Sequence, residues 1–233
     1  MKLAVIPARG GSKRIPRKNI REFCGKPMLA WSIQAAFDSG CIDRVIVSTD
    51  DQEIADVARK FGAEVPFMRP ASLADDYAGT TAVVQYVVQR LIDEGVDVEQ
   101  TCCLYATAPF VTGDDLRRGL DLLNQNEASF AFTVTNYAYP VQRALKLTEA
   151  GKIAMFHPEY AETRSQDLEE AYHDAGQFYW GTREAWLTAQ AIFAEHSVPV
   201  MQSPCRVQDI DTPSDWDRAV LMFEALRLHQ KAV

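Results

Sequence analysis

Long hydrophobic runs are missing from this chain of 233 residues, and no stretch approaches the length that a membrane span requires. The five cysteines are odd in number and lack CxxC spacing, which argues against a disulfide framework or a zinc site. A charged-then-apolar leader is also lacking, since a strand pattern begins almost at once. We therefore expect a reduced, cytoplasmic protein that has no membrane partner.

Basic residues are scarce outside one region. Eight of the 24 Lys and Arg, but one of the 32 Asp and Glu, lie within residues 1–26, while the whole chain has a net charge of −8. Nucleic-acid-binding domains usually spread a basic face over the whole domain, so we expect no nucleic-acid partner. The local positive charge instead predicts a site for a small, highly charged anion.

The basic region is centred on a loop, residues 7–19, which follows a strand-like run at residues 3–6. The loop lacks both the GxGxxG spacing of dinucleotide-binding folds and the GxxxxGK(S/T) spacing of P-loops, which excludes a nicotinamide-dependent oxidoreductase. Gly10 and Gly11 allow backbone N–H groups to approach phosphate oxygens. The cations that can neutralise phosphate charge are Arg9, Lys13, Arg17 and Lys18. These residues predict a nucleoside triphosphate site, and a solvated basic turn is the less favoured alternative.

Strand-like and helical patterns alternate through most of the chain. This alternation is typical of an α/β fold, and we expect residues 1–233 to form a single domain with a doubly wound, mostly parallel sheet. The ligand crevice of such a sheet lies at the carboxyl ends of its strands. The alternation breaks at about residues 136–174, which are rich in Tyr, Pro, His and charged residues and predict an insertion or a dimer arm.

A second motif, residues 207–213, places Asp209 and Asp211 immediately before a predicted helix. In an extended segment the two carboxylates face the same side, about 6.6 Å apart along the chain, and can share one Mg²⁺ ion whose other ligands come from a triphosphate. Capping of the helix by Asp211 or Thr212 is the alternative, but it does not explain Asp209.

Four ordered motifs resemble those of the CMP-sialic acid synthetase family of cytidylyltransferases, nearly from end to end. They are residues 8–13 with 18–19, residues 47–50, residues 69–70 with 73–76, and residues 209–212. The resemblance implies a Rossmann-like nucleotidyltransferase fold, a reaction that uses CTP and requires Mg²⁺, and a homodimer. It also implies that Asp209 and Asp211 bind magnesium. The catalytic residues that it implies are Arg9, Lys13 and Asp211. The implied nucleotide-binding residues are Ala8, Arg9, Gly10, Gly11, Ser12, Lys13, Asn19, Arg69 and Asp76.

Departures from the sialic acid pattern resemble the branch of the family that activates pseudaminic acid for bacterial flagellin glycosylation. Residues 105–109 read YATAP where the sialic acid branch has QPTSP, and residues 173–176 read HDAG in place of PNGA. Residues 163–168, TRSQDL, are similar to the same branch. The candidate acceptor-binding residues are Tyr105, Arg143, Arg164, Gln166, His173 and Gln177.

A 2-keto-nonulosonic acid carries a carboxylate, so its site needs a fixed cation, for which Arg164 and Arg143 are the candidates. A surface salt bridge explains Arg143 nearly as well. Three roles are open for His173: it can orient the sugar, accept a proton, or hydrogen-bond within a packed turn.

The reaction expected from these features is an in-line attack by the anomeric 2-hydroxyl of the sugar on the α-phosphorus of CTP, which yields the CMP-sugar and pyrophosphate. Deprotonation is open between metal binding of the hydroxyl, which lowers its pKa, and a carboxylate such as Asp211. Two alternatives stay open: the same reaction on N-acetylneuraminic or legionaminic acid, and a non-catalytic nucleotide-binding homologue. The intact basic loop and the pair Asp209 and Asp211 argue against the second.

Overall fold

A computed structural model describes residues 1–74 and 79–232, in which strands and α-helices alternate. The strands of the described part are β1 (Lys2–Pro7), β2 (Glu22–Phe23), β3 (Lys26–Pro27), β4 (Arg44–Ser48), β5 (Gln100–Leu104), β6 (Phe130–Asn136), β7 (Leu145–Leu147), β8 (Ile153–Met155), β9 (Tyr172–Thr182) and β10 (Ser197–Met201). Its helices are α1 (Met28–Asp38), α2 (Gln52–Lys60), α3 (Thr80–Asp93), α4 (Gly113–Gln125), α5 (Arg183–Leu187) and α6 (Pro213–Ala232). None of these described helices has the length and apolar character that a bilayer span needs.

Six strands form the main sheet, in the order β10-β6-β9-β5-β1-β4. β1 pairs in parallel with β4 and β5, and β10 pairs in parallel with β6. β9 runs antiparallel to both of its neighbours, so it is the one reversed strand within this described sheet. The predicted fold class, a doubly wound and mostly parallel sheet, is therefore confirmed, and the carboxyl ends of five strands lie at one edge.

The side chains of β1 alternate between two cores because successive residues of a strand point to opposite faces. Ala4 and Ile6 lie in a buried cluster with side chains of α1, α2 and α4. Leu3 and Val5 lie on the other face, with side chains of α3 and α5. Helices therefore cover both faces of the sheet, and the loop that follows Pro7 leaves the sheet at its open edge.

A third buried cluster brings the two ends of the chain together. Ile15 of the basic loop and Phe23 both pack in this cluster. It also contains Trp216 and Phe223 of α6 and the fully buried Ile210. The rings of Phe23 and Trp216 meet edge to face with 5.3 Å between centroids. This packing places the segment around Ile210 beside the basic loop.

The predicted arm, residues 136–174, differs from the structure at both ends. Asn136 belongs to β6, and residues 172–174 belong to β9, where His173 pairs with Thr135. The prediction differed because β6 supplies the main-chain partners that hold this polar run in a sheet, whatever its own propensity. Residues 137–171 contain the separate two-stranded sheet of β7 and β8, and their assignment as an insertion or dimer arm within a single domain stays a prediction.

Gly113 begins α4 where the backbone at the end of α1 passes closely. A Cβ atom there would lie 2.6 Å from the carbonyl carbon of Asp38 and 2.6 Å from the amide nitrogen of Ser39. We expect Gly113→Ala to lower the free energy of unfolding by about 2–3 kcal/mol, because backbone atoms cannot move aside as side chains do. Urea denaturation measures the loss, and Gly11→Ala is the control because a Cβ at Gly11 meets nothing within 4 Å. Equal stability of the two variants would contradict this close packing.

Candidate active site

A cavity of about 310 Å³ opens at the carboxyl ends of β1 and β5. Pro7 ends β1 and Tyr105 follows β5, so the cavity lies at the edge where doubly wound sheets bind ligands. Its polar lining includes Arg9, Ser12, Lys13, Arg14, Lys18, Asn19, Arg69 and Asp211. Five of the nine predicted nucleotide-binding residues therefore line a single, strongly cationic cavity.

The other four predicted nucleotide-binding residues are placed differently. Ala8 is fully buried in the core. The N–H of Gly10 donates to Oδ1 of Asp50 over 3.0 Å, so this donor is already engaged within the protein. Gly11 has open space where a Cβ would stand. Asp76 lies outside the described residues.

Arg17, a predicted ligand cation, is not among the residues that line the cavity. Its backbone has a φ of 56°, in the left-handed region. Its guanidinium binds both carboxylate oxygens of Asp51, at 2.5 and 3.0 Å, and also binds Glu53. Asp51 in turn caps α2 by accepting from the N–H of Ile54. Arg17 therefore ties the basic loop to the start of α2.

The pair of Arg17 and Asp51 predicts an acid-sensitive contribution to stability. The hydrogen bond from Arg17 is the main reason that the pKa of Asp51 falls from 3.8 to about 2. Because the folded-state pKa lies below the unfolded one, the contribution is present above pH 3.8 and is lost as the pH falls toward 2. The shift corresponds to at most about 2.4 kcal/mol, and we expect about 1 kcal/mol because the Arg17 side chain is 37% exposed.

Asp51→Asn tests this contribution because asparagine keeps a helix cap and removes the charge. We expect the variant to be about 1 kcal/mol less stable than the wild type at neutral pH. Urea denaturation at several pH values should show this difference shrinking as the pH falls from 3.8 to about 2. A difference that does not depend on pH would rule out the ion pair as its source.

Arg69 supplies a fixed cation to the cavity. It is only 7% exposed, and its guanidinium donates to the carbonyl of Ser48 and, over 3.2 Å, to the hydroxyl of the same residue. Burial lowers the pKa of Arg69, the charge of Asp50 opposes that shift, and the charge of Arg9 adds to it. An arginine keeps its proton under such conditions. Arg69 and Arg9 thus place two nearby positive charges at one cavity, which favours an anionic ligand.

Asp211 contacts two cations of the basic loop. Nη2 of Arg14 lies 2.7 Å from its Oδ2, and Nζ of Lys18 lies 3.2 Å from its Oδ1. Lys18 also donates to the carbonyl of Ile210 over 2.6 Å. The two motifs that stand near opposite ends of the sequence therefore form one site.

The cap of α6 removes the alternative role of Asp211. The hydroxyl of Thr212 accepts from the N–H of Asp215 over 3.3 Å, and the carboxylate of Asp215 accepts from the N–H of Thr212 over 2.8 Å. The pKa of Asp209 is raised, mainly by desolvation of its carboxyl group and next by the nearby charge of Asp211, although Asp209 as a whole residue is exposed. Two interacting carboxylates that do not serve as caps favour a bound cation.

A second cavity, of about 530 Å³, adjoins the first. Tyr105 lines both cavities, while Asp211 lines the first and Asp209 the second. The other residues around the second cavity are His173, Asp174, Ala175, Gly176, Tyr179, Val207 and Gln208. No Lys or Arg occurs in this described lining. The aspartate pair therefore lies between a cationic cavity and a neutral-to-acidic one, where it can contact ligands in both.

A hydrogen bond that the sequence did not reveal shapes the second cavity. The hydroxyl of Tyr179 donates to Oδ2 of Asp174 over 2.6 Å, and the ring of Tyr179 lies against that of Tyr105 with 5.4 Å between centroids. Burial raises the pKa of both phenols, so both keep their protons. Tyr179 and Asp174 stand five positions apart and meet because β9 is bulged there, with Gly176 at a φ of 61°. Spacing alone gives no sign of this contact.

His173 lies at the second cavity, as the sequence predicted, with one ring nitrogen engaged. Nδ1 lies 2.8 Å from the carbonyl oxygen of Asp174, and the ring meets Tyr137 edge to face at 5.0 Å. A carbonyl only accepts, so Nδ1 carries the proton of the neutral ring and Nε2 is an acceptor. This arrangement suits hydrogen bonding to a ligand hydroxyl.

Arg143, Arg164 and Gln166 line neither of these two cavities. The Arg164 side chain is 71% exposed and pairs with Asp167 at 2.7 Å. Arg143 donates to the hydroxyl of Ser165 over 3.4 Å. A single chain therefore does not bring these three residues to the second cavity, and their binding role stays a prediction.

Gln177 is 3% exposed and also lines neither cavity. Its side-chain Nε2 donates to the backbone carbonyl of Arg206 over 2.6 Å. Its backbone carbonyl accepts from the N–H of Tyr105 over 2.9 Å. The structure thus places Gln177 behind the cavities, in contact with the segments that line them.

Comparisons with known proteins identify the family of this chain. Residues 3–198 match the family model described as cytidylyltransferase. The chain belongs to the cytidylyltransferase family. It is 47% identical over 222 residues to the pseudaminic acid cytidylyltransferase of Campylobacter jejuni, covering 95% of this chain and 96% of that protein. It is 33% identical over 241 residues to the CMP-N,N'-diacetyllegionaminic acid synthase of Legionella pneumophila, covering 99% of this chain and 98% of that one.

A solved structure supports the fold of this cytidylyltransferase. A CMP-2-keto-3-deoxy-manno-octonic acid synthetase in complex with CTP superposes with a TM-score of 0.69 at 17% identity, covering 96% of this chain and 98% of that chain. At that level of identity the likeness shows the shared fold and nothing finer.

The donor set of this cytidylyltransferase fits a magnesium ion that is shared with a substrate. The described residues hold no cluster of three metal-ligating side chains, and Asp209 and Asp211 supply two carboxylates. Mg²⁺ commonly binds one or two carboxylates and takes its other ligands from waters and substrate phosphates. The cationic cavity next to Asp211 is where such phosphates would lie.

Proposed function

We propose that this cytidylyltransferase transfers CMP from CTP to a 2-keto-nonulosonic acid, with pseudaminic acid as the preferred acceptor, and releases pyrophosphate. The observation that carries the proposal is that a cationic and a non-cationic cavity adjoin at Tyr105 and at the pair of Asp209 and Asp211. The 47% identity to the Campylobacter jejuni enzyme supports the preference for pseudaminic acid. In this proposal the CMP-sugar serves bacterial surface or flagellin glycosylation.

The nucleotide half of the reaction takes place in the first cavity. Arg9 and Lys13 neutralise the charge of the triphosphate, and Arg69 binds the nucleotide from a fixed, buried position. In-line attack on the α-phosphorus needs no covalent enzyme intermediate, so these residues act by positioning and by stabilising charge. Pyrophosphate leaves along the basic loop, whose cations offset its growing charge.

In this proposal the pair Asp209 and Asp211 would hold Mg²⁺ at the edge of the CTP cavity. When bound, the ion would neutralise part of the negative charge that develops at the α-phosphate. Arg14 and Lys18 keep the carboxylate of Asp211 in place. Because these cations already offset its charge, we assign Asp211 the role of a metal ligand and not that of the base that accepts the proton of the sugar hydroxyl.

The acceptor half takes place in the second cavity. Nε2 of His173 accepts a hydrogen bond from a sugar hydroxyl, while Tyr105 forms the wall between the two reactants. The wall is held in place because the ring of Tyr105 packs against Tyr179, whose protonated phenol donates to Asp174. In this proposal the sugar lies next to the α-phosphate end of the nucleotide cavity.

We include a homodimer in the proposal, with residues 137–171 as the arm that crosses to a second subunit. Four large apolar side chains of this arm, Leu145, Leu147, Ile153 and Phe156, are 56–74% exposed. Such a group on a small region is typical of a protein–protein contact. Sedimentation at micromolar concentration should give the mass of two chains. A fully active monomer under the same conditions would refute this part of the proposal.

Pyrophosphate release tests the reaction itself. With CTP, Mg²⁺ and a nonulosonic acid we expect steady release, and we expect none when EDTA is added or when the acceptor is left out. Replacing CTP with ATP, GTP or UTP is the matched control for the nucleotide. A protein that binds CTP but releases no pyrophosphate with any nonulosonic acid would be the non-catalytic homologue instead.

A further inference from the structure

Arg206 joins the two segments that line the cavities. It lies in a short 3-10 turn, Pro204–Arg206, three residues before Asp209. Its guanidinium binds both carboxylate oxygens of Asp115, one of them at 3.3 Å, and donates to the carbonyl of Phe110 over 2.7 Å. Phe110 belongs to the loop that leads from Tyr105 to α4. One side chain therefore fixes the distance between residues 105–112 and residues 204–211.

The acceptor of this contact is itself rigid. Asp115 is 4% exposed and closes the N-terminus of α4 in a reciprocal cap, accepting from the N–H of Thr112 over 3.0 Å and from its hydroxyl over 2.7 Å. Although burial acts to raise the pKa of Asp115, the hydrogen bonds from Arg206 and Thr112 hold it below its usual value. Asp115 is thus a charged, buried anchor at the end of a helix.

Gln177 holds the same turn from the opposite side. Its Nε2 donates to the carbonyl of Arg206, so the turn is fixed by a side-chain contact to α4 and by a main-chain contact to β9. Beyond Arg206, the next fixed point is Ile210, which is fully buried and whose carbonyl accepts from Lys18. Asp209 lies between these two points, and its position depends on both of them.

We propose that Arg206, held by Asp115 and Gln177, is a positioning residue that aligns Asp209 with Asp211 for binding of the divalent cation together with CTP. The inference rests on the proposed function, because it takes the two aspartates as the metal ligands. It gives Gln177 a role in positioning the metal-binding segment in place of the direct sugar contact that the sequence predicted.

The test measures CTP affinity by calorimetry, without acceptor, in EDTA and in Mg²⁺. The ratio of the two dissociation constants reports how strongly metal and nucleotide support each other. We expect Arg206→Gln to reduce this ratio about 10-fold, as is usual when a residue behind a metal ligand is removed, and to leave affinity in EDTA unchanged. Arg206→Lys should be intermediate because a lysine cannot bind a carboxylate through two parallel donors.

Two further variants make the result decisive. Arg118→Gln is the matched control, because Arg118 lies 3.6 Å from the same Asp115 but donates to Met201, ahead of the turn. It should keep the wild-type ratio. Gln177→Met removes the contact to Arg206 without leaving a buried charge, and Oε1 of Gln177 has no hydrogen-bond partner among the described residues, so folding should be kept. We expect its ratio to fall and its KM for the acceptor to stay unchanged.

The outcomes separate this inference from the proposed function. Folded Arg206→Gln and Gln177→Met proteins with the wild-type ratio would overturn the inference, and so would a loss of CTP affinity of equal size in EDTA. A Gln177→Met protein that changes only the KM for the acceptor would return Gln177 to direct sugar binding. If Asp209→Asn also keeps the wild-type ratio, the metal assignment itself is wrong.

Discussion

Replacing Asp209 with asparagine is expected to lower kcat about 1000-fold while leaving the fold intact. Asp209 is an exposed residue, so loss of its carboxylate should have little effect on the stability of the fold. Its loss removes one of the two carboxylates that we assign to Mg²⁺, and a contribution of this kind to charge stabilisation is worth about 100–1000-fold or more in rate. Initial rates of pyrophosphate release over a range of Mg²⁺ concentrations measure the effect.

Asp217→Asn is the control for this prediction, because Asp217 is exposed on α6 and lines neither cavity. It should retain wild-type turnover. We also expect excess Mg²⁺ to restore part of the activity of Asp209→Asn, since one carboxylate and the phosphates are still present. If Asp209→Asn turns over as fast as Asp217→Asn, the aspartate pair does not bind the catalytic ion.

Replacing Lys13 with methionine is expected to lower kcat/KM for CTP about 100-fold or more. Lys13 lines the cationic cavity, and a point charge held at the triphosphate stabilises the leaving pyrophosphate as its charge grows. Methionine keeps much of the length of the side chain and removes the charge. Steady-state kinetics with varied CTP measure the change, and KM for the acceptor should stay close to the wild-type value.

Lys60→Met controls for the loss of one positive charge, since Lys60 is exposed at the end of α2, away from the cavity lining. It should behave as the wild type. An equal loss in both variants would mean that the overall charge of the protein, and not the basic loop, governs CTP binding. The effect of Lys13→Met should also persist at moderate salt, whereas long-range attraction is screened.

The strand and helix alternation of the sequence predicted the sheet because buried parallel strands and capped helices leave strong local patterns. The same holds for the loop after β1 and for Asp209 and Asp211, which stand at the ends of recognisable elements. The reversal of β9 was not predictable, because strand direction depends on the path of the chain between elements and not on the composition of the strand.

The contacts that complete the site were also beyond the sequence. Arg17 and Lys18 are neighbours in one basic run, yet Arg17 pairs with Asp51 and Lys18 with Asp211, because Arg17 itself adopts a left-handed conformation that redirects the backbone. Tyr179 meets Asp174 only through a bulge. Charge counting identified a cationic site, and only the packing of side chains decided which cations face it.

Competition among acceptors tests the central claim most directly. The cytidylyltransferase is given CTP, Mg²⁺ and equal amounts of pseudaminic, N,N'-diacetyllegionaminic and N-acetylneuraminic acid, and the CMP-sugars are separated and identified by mass. Because the initial product ratios equal the ratios of kcat/KM, we expect CMP-pseudaminic acid to exceed each of the others by about 10-fold or more. Predominance of either other CMP-sugar would contradict the assigned acceptor, and the absence of all three would contradict the assigned reaction.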